Sequence, residues 1–139
     1  MLERKQSSTL VCWATLLLGA MDTASGFLMF VAPAFTIRLM GISESYQDVL
    51  IRFIGAFVFG VGSLYLLALG WSKLTRSWQA LRIVWMGTGW IRLCVGLGTS
   101  VFIIQGQLSI AWITVPLVDL LTAAFQIATV LSGKFPKND

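Results

Sequence analysis

Histidine is absent from this chain of 139 residues, and cysteine occurs only at Cys12 and Cys94. Without imidazole the chain loses ordinary haem ligation, the commonest metal ligand and the usual general base. The two thiols fall at depths differing by roughly 15 Å at the helical rise per residue. A disulfide needs Cα atoms within about 7 Å, so no intrachain bridge is expected and both residues read as small packing groups. No nucleophile–base pair, metal-ligand cluster or phosphate loop occurs. "GTGW" (87–90) and "GLGTS" (96–100) contain Gly-x-Gly, but no strand–turn–helix context gives it a nucleotide meaning. The expectation is a protein that is not an enzyme and holds no metal and no cofactor.

Charge is also scarce. Only 12% of the residues are charged against 57% hydrophobic, about half the charged share of an ordinary soluble domain. A soluble protein of this size lacks the interior to hide so many apolar side chains. Long apolar runs with few charges instead point to a bilayer. The length suits one integral membrane domain covering 1–139.

Four runs approach the ~20 residues needed to cross a hydrocarbon core of about 30 Å. They cover about 9–32, 48–70, 78–104 and 108–131. Their length and the absence of regular polar alternation predict helices rather than barrel strands. The fold class expected is therefore all-α, a four-transmembrane-helix bundle. Pro33 stops the first run, and Pro116 kinks the first turns of the fourth. "ERK" followed by "LVCWATLLLGA" and "TASG" has the outline of a signal peptide. Apolar sequence nevertheless continues through Phe27–Ala32, which makes the run long enough to span, and we read it as a retained helix.

Cations set the expected orientation. Arg4 and Lys5, then Lys73, Arg76 and Arg82, then Lys134 and Lys137 all fall on one side if there are four crossings. The opposite side has Arg38 near Glu44 and Asp48, and an uncharged "QGQ" at 105–107. The positive-inside rule then places both termini in the cytoplasm. The formal charge of +4 is thus a topology signal. Cations scattered over loops and tails do not make a nucleic-acid footprint, and contact with anionic headgroups of the lipid bilayer is the natural consequence. Trp13, Trp71 and Trp78 suit an interfacial belt, with Trp85 a little deeper. Trp90, near mid-membrane, is expected to pack between helices, and Trp112 has no clear place in the belt.

Three ionisable residues fall near the centres of three spans: Asp22, Arg92 and Asp119. A lone charge there costs roughly 2.5–3.5 kcal/mol on insertion scales. One guanidinium, with its five donors, between two carboxylates is a better arrangement. Such a cluster either staples the helices together or serves a proton or ion relay, or a polar substrate site. Two carboxylates against one cation leave a surplus negative charge, the circumstance in which one carboxylate takes up a proton. Arg52 lies some 10 Å from the centre of its span. It either snorkels or pairs with Asp48 at i,i+4, or reaches inward to help neutralise Asp22.

Small residues predict where helices meet, since close backbone approach promotes packing in lipid. In "RFIGAFVFGVGS" (52–63), Ala56, Gly60 and Ser63 form one stripe, which serves either a neighbouring helix or a partner subunit. Gly89, Arg92 and Gly96 share a face of the third span, and the first offers Ala20, Ala24 and the Gly19/Gly26 pair. "RFIGAFVFGVG" and "IRLCVGLG" both start at Arg and run into Gly-spaced apolar sequence, a short likeness of the kind an inverted duplication produces.

The series "LMFVAPAFTIRLMGI" (28–42), "RFIGAFVFGVGSLYLLAL" (52–69) and "WIRLCVGL" (90–97) resembles a small bacterial four-helix membrane family of unknown function, with a layout similar to DoxX-like proteins. The likeness covers the first three spans. It implies a compact four-helix bundle in a bacterial inner (cytoplasmic) membrane and carries no activity. Two function classes follow from the sequence. One is a non-catalytic accessory or scaffold subunit packed against a larger membrane complex or a copy of itself, favoured by small size and Gly-rich faces. The other is a proton-linked carrier or binder of a small or lipid-like molecule, using Asp22, Arg92 and Asp119.

Overall fold

Each apolar run does become a helix, and among the described residues there is no strand. A computed structural model describes residues 2–42 and 46–136, with side chains from residue 8 onward. Glu44 and Lys137, and the side chains of Arg4 and Lys5, lie outside the described residues. The helices are α1 (Leu2–Val31), α2 (Pro33–Leu39), α3 (Asp48–Thr75), α4 (Gln79–Ile104) and α5 (Thr114–Leu131), with a 3-10 turn at Ile110–Ile113 before α5. Four stretches are long and apolar enough to cross a membrane: Ser8–Val31, Asp48–Thr75, Gln79–Ile104 and Ile110–Leu131, of 24, 28, 26 and 22 residues. At 1.5 Å per residue even the shortest reaches about 33 Å.

Helix ends follow from local chemistry. Ala32 sits at φ −131°, ψ 63°, out of the helical region because Pro33 crowds the residue before it. Pro33 then opens α2, a short helix absent from the sequence reading, at a position where its missing N–H is harmless. α2 closes on Gly41 at φ +75°. The Gly41 N–H donates to the Arg38 carbonyl at 3.0 Å and the Ile42 N–H to the Ile37 carbonyl at 3.1 Å. This is a Schellman cap, and Ile37 and Ile42 are both buried beside it.

Two boundaries differ from the sequence reading. α3 continues five residues past Gly70, to Thr75. A lone glycine with helical dihedrals does not end a helix, and the stop is Arg76, a non-glycine residue in the left-handed region at φ 53°. The fourth span begins as a 3-10 turn because Pro116 lacks the N–H that would donate to the Trp112 carbonyl.

The chain divides into two compact units, Met1–Val84 with Phe135–Asp139, and Trp85–Lys134. In the first unit α1 and α3 pack antiparallel, backbone against backbone. A Cβ built on Gly26 would stand 2.7 Å from the Gly55 carbonyl oxygen and from Phe59 Cα. One on Gly55 would meet Met29 Cβ and the Phe30 nitrogen at 2.7 Å, and one on Gly62 would meet Thr23 Oγ1 at 2.7 Å. Closer to the N-terminus of α1, Gly19 lies against Tyr65 and Leu66.

The seam of α3 therefore runs through Gly55 and Gly62, one residue away from the stripe expected from sequence. Ala56 and Gly60 are exposed, Ser63 is half-buried, and nothing lies within 4 Å of a Cβ on Gly60. On α1, likewise, Gly19 and Gly26 are buried while Ala20 and Ala24 face outward. Glycine wins over alanine because only a missing Cβ admits the opposing backbone.

The tryptophans divide similarly. Trp13 and Trp71 are exposed, as interfacial anchors would be. Trp85 and Trp112 are buried, and Trp85 tilts against Phe125 with ring centroids 5.7 Å apart. Trp90 does not pack between helices and is 64% exposed. Two residues from Arg92, it lies roughly 200° around α4 and so on the opposite face.

Gly26→Ala and Gly62→Ala should each lower the thermal stability of the purified protein by about 1–3 kcal/mol, as overpacking does. Gly60→Ala should be neutral or slightly stabilising, up to about 1 kcal/mol. Equal losses at all three positions would place the seam elsewhere.

Candidate functional site

Hydrocarbon favours a polar side chain that bonds within the protein, and several mid-span polar residues here show how. On α1, Thr23 donates to the Gly19 carbonyl at 2.6 Å and Ser25 to the Asp22 carbonyl at 3.2 Å. Asp22 itself lies on the packing face of α1 with Gly19 and Gly26, 7% exposed. It is about 4 Å from the midpoint of Ser8–Val31 along the helix axis.

In the second unit Arg92 of α4 meets Asp119 of α5. Arg92 Nη1 donates to Asp119 Oδ1 at 2.5 Å, and the two side chains are 8% and 15% exposed. Each residue stands within about 2 Å of its own span's midpoint. The pair forms because the helices come close on both sides of it. A Cβ on Gly96 would be 2.8 Å from Leu120 Cγ, and one on Gly89 would be 3.3 Å from Ile127 Cγ1. Gly89, Arg92 and Gly96 thus face α5 together, three and four residues apart.

Two members of this seam were not singled out from sequence. Gln126 Nε2 donates to Thr88 Oγ1 at 3.4 Å, and Thr88 Oγ1 donates in turn to the Trp85 carbonyl at 3.4 Å. Thr88 and Gln126 are both fully buried. Their positions carried a usable signal. Thr88 is one turn before Arg92, and Gln126 is two turns after Asp119, so all four share the α4–α5 contact face. The seam is an ion pair followed, toward the start of α4, by an amide–hydroxyl contact.

Arg52 does something else. Its Nη1 donates to the Phe30 carbonyl at 2.5 Å. The last carbonyls of a helix have no intrahelical donor, and Pro33 removes one more N–H from this end. A guanidinium there meets an unsatisfied acceptor and the negative end of the helix dipole together. Phe30 is eight residues beyond Asp22, roughly 12 Å along α1. Arg52 therefore caps α1, and neither pairing with Asp48 nor reaching toward Asp22 describes its place.

In chemical terms the α4–α5 seam neutralises charge and exchanges hydrogen bonds. No group of three or more His, Cys, Asp or Glu able to hold a metal occurs among the described residues. No family model, no curated protein and no solved structure matches the chain.

Replacing Arg52 with Met should leave the protein folded but less stable by about 1 kcal/mol, the scale of a cation at a helix C-terminus. Lys at the same position should recover part of that loss. Thermal melts of the three proteins in one detergent test this, and identical melting temperatures would refute the cap.

Proposed function

We propose that this protein is a non-catalytic accessory or scaffold subunit of a bacterial cytoplasmic membrane, with both termini in the cytoplasm, that packs against a larger membrane assembly. The observation that carries this reading is the bonding of the mid-span polar groups of α4 and α5 to one another. Arg92 and Asp119 pair with each other between flanking glycine contacts, and Thr88 and Gln126 continue the same seam. An arrangement of this kind fixes which helices adjoin and in what register, which is the role of a staple. The connections at 76–78 and 105–109 are short, so much of the surface the protein offers to others is that of its helices. The DoxX-like layout of the sequence agrees with a compact helical membrane protein and adds no chemistry.

Isolation of the tagged protein from native membranes in a mild detergent should therefore yield another membrane protein in fixed stoichiometry. Recovery of this chain alone, under conditions that keep other membrane complexes whole, would overturn the reading.

A proton-linked carrier of a small or lipid-like molecule is the second reading. It draws on the ionisable residues near mid-span in three helices, since such residues commonly mark ion or substrate paths. The double substitution Asp22→Asn with Asp119→Asn separates the two. A staple predicts a clear loss of folded protein, on the order of 1–3 kcal/mol for each unpaired buried group. A carrier predicts normal folded yield with its proton-coupled uptake abolished.

A further inference from the structure

The turn between α3 and α4, within the first unit, gathers three cations. Lys73 stands in the last turn of α3, Arg76 in the connection and Arg82 in the first turn of α4. All three are exposed, and among the described residues none of their side chains has a hydrogen-bond or ion-pair partner. The acids of the chain lie elsewhere. Asp119 is the one acid in 85–134 and is bonded to Arg92. Asp22 is deep in the first span. Asp48 opens α3 about 38 Å from Lys73 along the helix, with Glu44 just before it. Glu3 and Asp139 remain, each in a terminal stretch with cations of its own, Arg4 and Lys5 in one and Lys137 in the other.

The backbone adds to this excess of positive charge. Arg76 holds φ 53°, ψ 29°, a left-handed conformation that glycine takes freely and arginine only with strain. Glycine would serve the turn better unless the cation itself is needed. Arg82 stands at the start of α4, where the helix dipole is already positive and a further cation is disfavoured. Three residues join the helices, which holds their ends within about 14 Å. Long side chains from both helices can therefore reach one anion.

We propose that this turn binds an anionic phospholipid, with its phosphodiester held by Lys73, Arg76 and Arg82. Depth selects a lipid. The spans Asp48–Thr75 and Gln79–Ile104 end and begin here, so the turn lies at headgroup level, where lipid phosphodiesters are the abundant anions. Charge selects the class of lipid. A zwitterionic headgroup brings its own ammonium to a site that already has three cations, whereas phosphatidylglycerol brings only the negative charge. The site does not depend on the accessory role. It narrows the diffuse headgroup contact expected from net charge to one turn of the chain.

Native mass spectrometry of the full chain in detergent tests the site, with phosphatidylglycerol and phosphatidylcholine titrated separately. Phosphatidylglycerol should be retained at least several-fold more tightly. Arg76→Gly removes one cation and suits the left-handed backbone, so this variant should melt at or above the parent's temperature. Its affinity for phosphatidylglycerol should nevertheless fall about fivefold, the scale of one cation at a membrane surface. Adding Lys73→Gln and Arg82→Gln should extend the loss to on the order of a hundredfold. Arg38→Gln, an exposed cation on α2, should change nothing. Equal retention of the two lipids would overturn the site. So would parental affinity in Arg76→Gly and in the triple variant, or an equal loss in Arg38→Gln. Displacement of the lipid by inorganic phosphate, but not by chloride at equal ionic strength, would overturn it in favour of free phosphate.

Discussion

Hydrocarbon neither donates nor accepts a hydrogen bond, and that constraint shows in how many of the described polar residues within the spans are bonded. Hydroxyls are the simplest case. Thr15, Thr23, Thr99, Ser100 and Thr129 each donate to the carbonyl four residues earlier in their own helix. Such bonds let a helix carry hydroxyls at depth without a neighbour. Arginine needs more than its own helix can give. Arg92 takes a carboxylate from α5, whereas Arg52 takes a free carbonyl at the end of α1.

The two compact units answer a second problem, how helices adhere when lipid is as apolar as their side chains, in different ways. α1 and α3 meet through Gly19, Gly26, Gly55 and Gly62, close enough for backbone atoms to touch across the seam. Dispersion over a long interface holds that pair. α4 and α5 also use glycines, but between them they set an ion pair and an amide–hydroxyl contact. The first arrangement resists any added methyl group. The second resists loss of a polar partner, because the remaining group would stay buried without its bond.

Much of this was legible in the residues. Span number and approximate limits follow from apolar run length. Placing Arg92 on a face with Gly89 and Gly96 required only helical spacing, and so did bringing Asp119 near the same depth. Other features were not readable, for identifiable reasons. Ala56–Gly60–Ser63 and Gly55–Gly62 are both regular stripes on α3, and only the opposing backbone selects between them. Trp90 looked like a packing residue because of its depth, yet its angle relative to Arg92 already set it on the other face. Arg52's partner was invisible because a main-chain carbonyl leaves no mark in sequence. The end of α3 lies beyond the apolar run that closes near Gly70, because the left-handed conformation that stops the helix belongs to Arg76.

The bond from Arg52 to Phe30 also bears on the order in which the protein is made. The far end of α1 acquires its donor from a residue synthesised more than twenty positions later. Phe30 lies about 16 Å from the middle of Ser8–Val31, near headgroup depth, so water can serve that carbonyl until α3 has emerged. The leading helix of the first hairpin is in this sense completed by the one that follows.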